Sequence, residues 1–88
     1  MERYRVLIKP SAKKELVAIS TKKDRQRIVR KVESLAEEPR PAGCEKLSGY
    51  DRYRIRQGKY RIIYGIDDDE LVVLVIKIGH RRDVYRAL

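Results

Sequence analysis

The chain contains no tryptophan and no phenylalanine, and six tyrosines supply all its aromatic rings. It has one cysteine, Cys44, so no disulfide can close within it. Cys44 also has no cysteine or histidine close by in sequence, which leaves neither a metal site nor a thiol nucleophile with support. The longest unbroken apolar run, "LVVLVI" at 71–76, is far too short to span a bilayer. The N-terminal "MERYRVLIKP" lacks the apolar core of a secretory leader, so a cytoplasmic chain with no membrane partner is expected. No P-loop, no dinucleotide-binding glycine pattern, no internal repeat and no low-complexity segment is present. The acidic run "DDDE" at 67–70 lacks cation-ligand spacing and falls where a turn is needed, so no metal site and no cofactor is expected.

What the chain does have is positive charge. Lysine and arginine number 22 against 13 acids, a formal charge of +9 on 88 residues. The length fits one domain, spanning 1–88, with a modest core. Such an excess favours a polyanionic partner, nucleic acid first; a solvated basic surface is the plain alternative.

Hydrophobic periodicity sets the order of elements. Residues 3–9 alternate, with Tyr4, Val6 and Ile8 on one face, as in a strand against a core. Pro10 ends that strand, and Ser11 is a candidate cap for a first helix carrying Ala12, Leu16 and Ile19. Thr21 and Asp24 resemble a capping box ahead of a second helix, whose apolar stripe is Ile28, Val29, Val32, Leu35 and Ala36. Lys31 sits off that stripe, and Pro39 and Pro41 stop the helix. Residues 39–51 read as a loop, with Leu47 tucked into the core. Three strands follow: "RYRIRQ", "YRIIYGI" and "LVVLVIKI", the last apolar enough to be central and covered in part on both faces. The order β-α-α-β-β-β predicts an α+β domain, with a helical hairpin on one face of a small, mostly antiparallel sheet.

The stretch "YRIRQGKYRIIY" at 53–64 carries the functional signal. A type II′ turn at Gly58-Lys59 pairs Arg56 with Arg61, Ile55 with Ile62 and Tyr53 with Tyr64. Alternation then sends Tyr53, Ile55, Ile62 and Tyr64 toward the helices, and Arg52, Arg54, Arg56 and Arg61 the other way. Facing like charges destabilise a sheet, so the arrangement suits an anion held between planar guanidinium forks. The alternative is an exposed face, its arginines splayed into water or paired with Asp51, Asp67 or Asp83. His80 is the single histidine and, at a strand end, a candidate proton-transfer group. Tyr85 either stacks on a base or plugs the end of the sheet.

With "KLSG" before the hairpin and the closing "VIKIGHRRDVY", the chain resembles the RelE/ParE toxin superfamily, in particular the RelE-type mRNA interferases of toxin–antitoxin pairs. The resemblance covers nearly the whole chain. It implies a metal-free endoribonuclease that enters the ribosomal A site, among messenger and ribosomal RNA, and cuts the message through its own 2′-hydroxyl. It also implies a cognate antitoxin, in a toxin–antitoxin hetero-oligomer. Residue by residue, it makes Arg54 and Arg56 the basic pair of the first hairpin strand and Arg61 the grip on the scissile phosphate. Arg81 would assist the leaving 5′-oxygen, and Tyr85 would orient or stack on the substrate. Arg52, Lys59, Arg82, Lys13 and Lys31 are expected as further RNA contacts. The basic pair is commonly lysine in such toxins. Arginine here cannot serve as a base, which leaves His80, or electrostatic stabilisation without a defined base. Rival readings are a ParE-like inhibitor of DNA gyrase and a nucleic-acid-binding relative without activity.

Overall fold

A computed structural model describes residues 3–47 and 51–80. The elements are β1 (Arg5–Ile8), α1 (Pro10–Val17), α2 (Lys22–Ser34), β2 (Glu45–Lys46), β3 (Tyr53–Gln57), β4 (Tyr60–Asp67) and β5 (Val72–His80). They form a five-stranded sheet in the order β1-β5-β4-β3-β2, with both helices on one face. The expected α+β architecture holds, with one strand added. Every strand pair is antiparallel except β1–β5, which is parallel. The helical hairpin makes that possible, because parallel neighbours need a long crossover.

Helix α1 begins two residues earlier than a cap at Ser11 implies. Pro10 opens it and Lys9 takes the cap position, without a side-chain cap. A proline at the first helical position loses nothing, since that N–H has no partner inside the helix. Thr21 does cap α2 by position, but its side chain makes no capping bond. Between the helices, the Arg25 guanidinium donates to the Ile19 carbonyl and closes the hairpin.

The core lies between helices and sheet. Ala12, Ile19, Ile28, Val32 and Leu35 meet Ile55, Ile62, Tyr64, Val73, Val75 and Ile78. Val29 leaves the expected stripe and is exposed. Leu47 is half-buried and outside this cluster. The Tyr64 hydroxyl, fully buried, donates to the Pro39 carbonyl at 2.7 Å and ties the loop after α2 to the sheet. Arg40 closes the same end of the sheet. It forks onto both Asp68 oxygens (3.1 and 2.9 Å) and lies over the Tyr53 ring, while Tyr4 donates to Asp68 at 2.7 Å. The Arg40 bond, then the Tyr4 bond, holds the Asp68 carboxyl down at about 2.

Strand β5 contains the one irregularity that matters for function. Ile63 pairs with Lys77 and Tyr64 with Val75, so Ile76 has no partner on β4. One extra residue reverses the alternation beyond it. Val73 and Val75 before the bulge, and Ile78 after it, therefore all reach the same core. Strand β1 stops pairing at Val75, and Glu15 of α1 takes over the exposed edge. Its carboxylate accepts the Ile78 N–H (3.2 Å) and the Lys77 ammonium (2.6 Å).

Candidate nucleic-acid interface

The hairpin β3–β4 has the register read from the sequence: Arg56 faces Arg61, Arg54 faces Ile63, and Tyr53 faces Tyr64. Gly58 has φ +60, and Lys59 is not among the residues with positive φ, as a type II′ turn requires. Tyr53, Ile55, Ile62 and Tyr64 pack toward the helices. Alternation then places Arg54, Arg56 and Arg61 on the face opposite α1 and α2, with Arg52 just before β3 in line with them.

These arginines are not equally available. Arg56 is exposed, as are Arg52 and the turn residue Lys59. Arg61 retains only 8% of its surface and is the one buried charged residue among those described. Its guanidinium donates to the Tyr60 carbonyl at 3.3 Å. A buried charge must be held by polar partners, so Arg61 is fixed in place before any ligand arrives.

Arg54 has a partner that sequence reading missed. Glu45 of β2 stands opposite it in register, and the carboxylate accepts a hydrogen bond from the guanidinium. The Arg54 side chain is 18% exposed and that of Glu45 54%. A two-residue strand leaves no periodic signal, so Glu45 was legible only as part of a loop. Among the described residues, Asp51 gives its carbonyl to Arg52 and Asp67 turns to its own loop, while Asp83 lies outside the described residues. Asp67 accepts the backbone N–H groups of Asp69 and Glu70, at 3.0 Å each, and shapes the β4–β5 turn.

His80 is not brought to the arginines. It pairs with Tyr60, while the Arg61 position is faced by Gly79. Its ring meets the Tyr60 ring edge-on, 6.2 Å between centroids, and Tyr60 packs against the core. The bulge at Ile76 is the reason. Without it, alternation would turn His80 to the arginine face. Lys13 and Lys31 belong to the helical layer, across the sheet from the arginines. Arg81, Arg82 and Tyr85 lie outside the described residues.

Comparison with known proteins agrees with the fold. The family model described as ParE toxin of type II toxin–antitoxin system, parDE, matches residues 6–85. Toxin RelG of Mycobacterium tuberculosis is 41% identical over 34 residues, so the match spans 39% of this chain and 39% of that relative's length. The RelE–RelB complex of Pyrococcus horikoshii contains a chain similar over 96% of this one and 100% of its own, with 31% identity and a TM-score of 0.81. The intact E. coli RelBE toxin–antitoxin complex gives 31% identity and a TM-score of 0.75 over 88% of this chain and 95% of that one. The isolated E. coli RelE toxin gives 30% and 0.75, over 88% and 83%.

Proposed function

We infer that this chain, which belongs to the ParE toxin family of type II toxin–antitoxin systems, is a RelE-type toxin that cuts messenger RNA in the ribosomal A site. The observation that carries this reading is the arginine face. Arg56 and Arg61 stand directly opposite each other, and Arg54 lies one row away on the same side. Guanidinium forks bind phosphate in two-pronged fashion, and three on one face suit a phosphodiester gaining charge.

In the reaction, the substrate's 2′-oxygen bonds to the adjacent phosphorus and gives up its proton to water. The bond from phosphorus to the 5′-oxygen breaks, and that oxygen takes a proton from water. Arg61, already immobile, holds the phosphate in line, and Arg56 shares the added charge of the phosphorane. Preorganised donors of this kind act without reorganising, which makes electrostatic stabilisation the main source of rate. Arg81 and Tyr85 keep the roles that the resemblance gives them, at the leaving oxygen and the base. His80, on the other sheet face, is not needed as a base. A metal is not needed either.

The partner in this reading is an acidic or amphipathic antitoxin segment that folds over the basic surface. Support comes from two similar chains, solved as toxin–antitoxin complexes with RelB. The family model is described by its ParE members, which favours gyrase inhibition as the second reading. One paired experiment separates them. Purified protein is added to translating ribosomes and messenger 5′ ends are mapped, with a gyrase supercoiling assay alongside. A-site cuts that persist with chelator at a level that leaves the ribosomes intact, and unimpaired supercoiling, are expected. Intact messages with inhibited gyrase would replace this reading with the second.

A further inference from the structure

The face opposite α1 and α2 continues past the arginine rows into a recess that phosphate binding leaves unexplained. Leu7, Leu74 and Gly65 stand in one row across β1, β5 and β4. Arg52 completes the row, because Tyr53 faces Tyr64 one residue further along each strand. Leu7 and Leu74 are 47% and 39% exposed, on the face opposite α1 and α2. A recess of about 360 Å³ opens here, lined by Arg5, Arg52, Gly65, Leu74, Asp51 and Glu70 among others.

Gly65 is the informative residue. Its φ is not positive, so the backbone does not demand glycine. Glycine inside a strand weakens it, and such a position often marks a bulge, here the neighbouring Ile76, or the close approach of a ligand or another backbone. A Cβ at Gly65 would lie 3.5 Å from Arg52 Nη1 and 3.9 Å from Ile76 Cδ1. The missing side chain thus leaves a floor between a guanidinium and an aliphatic group. Arg52 is steadied there by donating to the Asp51 carbonyl at 3.0 Å.

We propose that this recess is a nucleobase pocket, receiving a splayed-out base of the RNA whose backbone crosses Arg54, Arg56 and Arg61. The chemistry of the rim favours a base over a phosphate. Asp51 and Glu70 would repel an anion, whereas a base edge offers donors to carboxylates and acceptors to guanidiniums. Bases taken out of a stack also lie against arginine planes and apolar surface. Gly65 is four residues from Arg61 on the same strand and face, ~13 Å at strand spacing. The base therefore belongs to a nucleotide near the scissile one, and the pocket reads sequence context.

This inference rests on the RNA-cleaving reading, and its test keeps the two apart. Gly65→Leu fills the floor, and Arg52→Gln, at an exposed position, removes the stacking plane with little threat to the fold. Thermal melting checks both variants. First, cleavage is mapped on ribosomes programmed with every base at positions flanking the cut. Discrimination among flanking bases should fall about tenfold in each folded variant, as losing one stacked base implies. Second, backbone amide shifts are followed while a short single-stranded RNA, or the same RNA with one abasic position, is titrated in. Intact RNA should bind about tenfold tighter than abasic RNA, and shift the Gly65 and Arg52 amides. Cleavage with unchanged base preference, and equal binding of the two RNAs, would overturn the pocket and leave the cleavage reading standing. Base-dependent binding at Gly65 without any cleavage would uphold the pocket and overturn the cleavage reading.

Discussion

Glu45 faces Arg54 across the β2–β3 pair, and its carboxylate holds the guanidinium that a phosphate would otherwise claim. The face built for an anion therefore carries one anion of its own, and RNA must compete with it at Arg54.

Glu45→Gln should accordingly bind single-stranded RNA more tightly. If Arg54, Arg56, Arg61 and Arg81 each met a phosphate, affinity would fall with salt at a log–log slope of roughly −3, at about −0.7 per contact. With Glu45 on Arg54, the native protein should fall short of that slope, and Glu45→Gln should steepen it by up to about 0.7. Fluorescence anisotropy across a salt series measures both. An unchanged slope and affinity would mean that the pair only fastens β2 to the sheet.

Loss of the phosphate grip should be severe. Arg61→Ala and Arg56→Ala are each expected to lower single-turnover cleavage on programmed ribosomes by ~10²–10³ and to relieve growth inhibition. Arg61 is buried, so its truncation also removes packing, and Arg61→Lys with a melting curve separates the two effects. A folded Arg61→Lys at native speed would remove forked phosphate recognition from the mechanism.

His80→Ala should be nearly silent. Removing a general base costs on the order of 10²–10⁴ in rate, yet His80 lies against Tyr60 on the sheet face away from the arginines. A loss below tenfold is expected, with the same pH–rate profile as the native protein. A hundredfold loss, together with disappearance of a rate-controlling group near neutrality, would restore His80 to the chemistry.

Tyr64→Phe tests the tie between loop and sheet. The variant leaves the Pro39 carbonyl without its buried donor, at a cost of about 1–3 kcal/mol by urea unfolding. Burial, the largest cause, pushes the Tyr64 hydroxyl well above the ordinary tyrosine range. The folded protein thus keeps a proton that the unfolded chain releases near pH ~10. The contribution is fully present below that pH and is lost progressively as pH rises above it. The stability difference between native protein and Tyr64→Phe should shrink from pH 9 upward. A difference constant through pH 11 would contradict the burial of this hydroxyl.

The hairpin was legible from sequence because everything that fixes it is local. Gly58 selects the turn, the turn sets the register, and a period of two sorts arginines from tyrosines and isoleucines. The helices and their core residues were legible for the same reason, apart from Val29. The tertiary structure decided what depends on distant partners. The parallel docking of β1 on β5 rests on contacts more than sixty residues apart in sequence. Strand β2 exists only because β3 pairs with it, and it brings Glu45 to Arg54. The bulge at Ile76 lets Val73, Val75 and Ile78 share one core, and in doing so turns His80 away from the arginines. A side chain's face is fixed by counting from a known register. Beyond Val75 that count changes by one, for a packing reason that an apolar run such as "LVVLVI" cannot reveal.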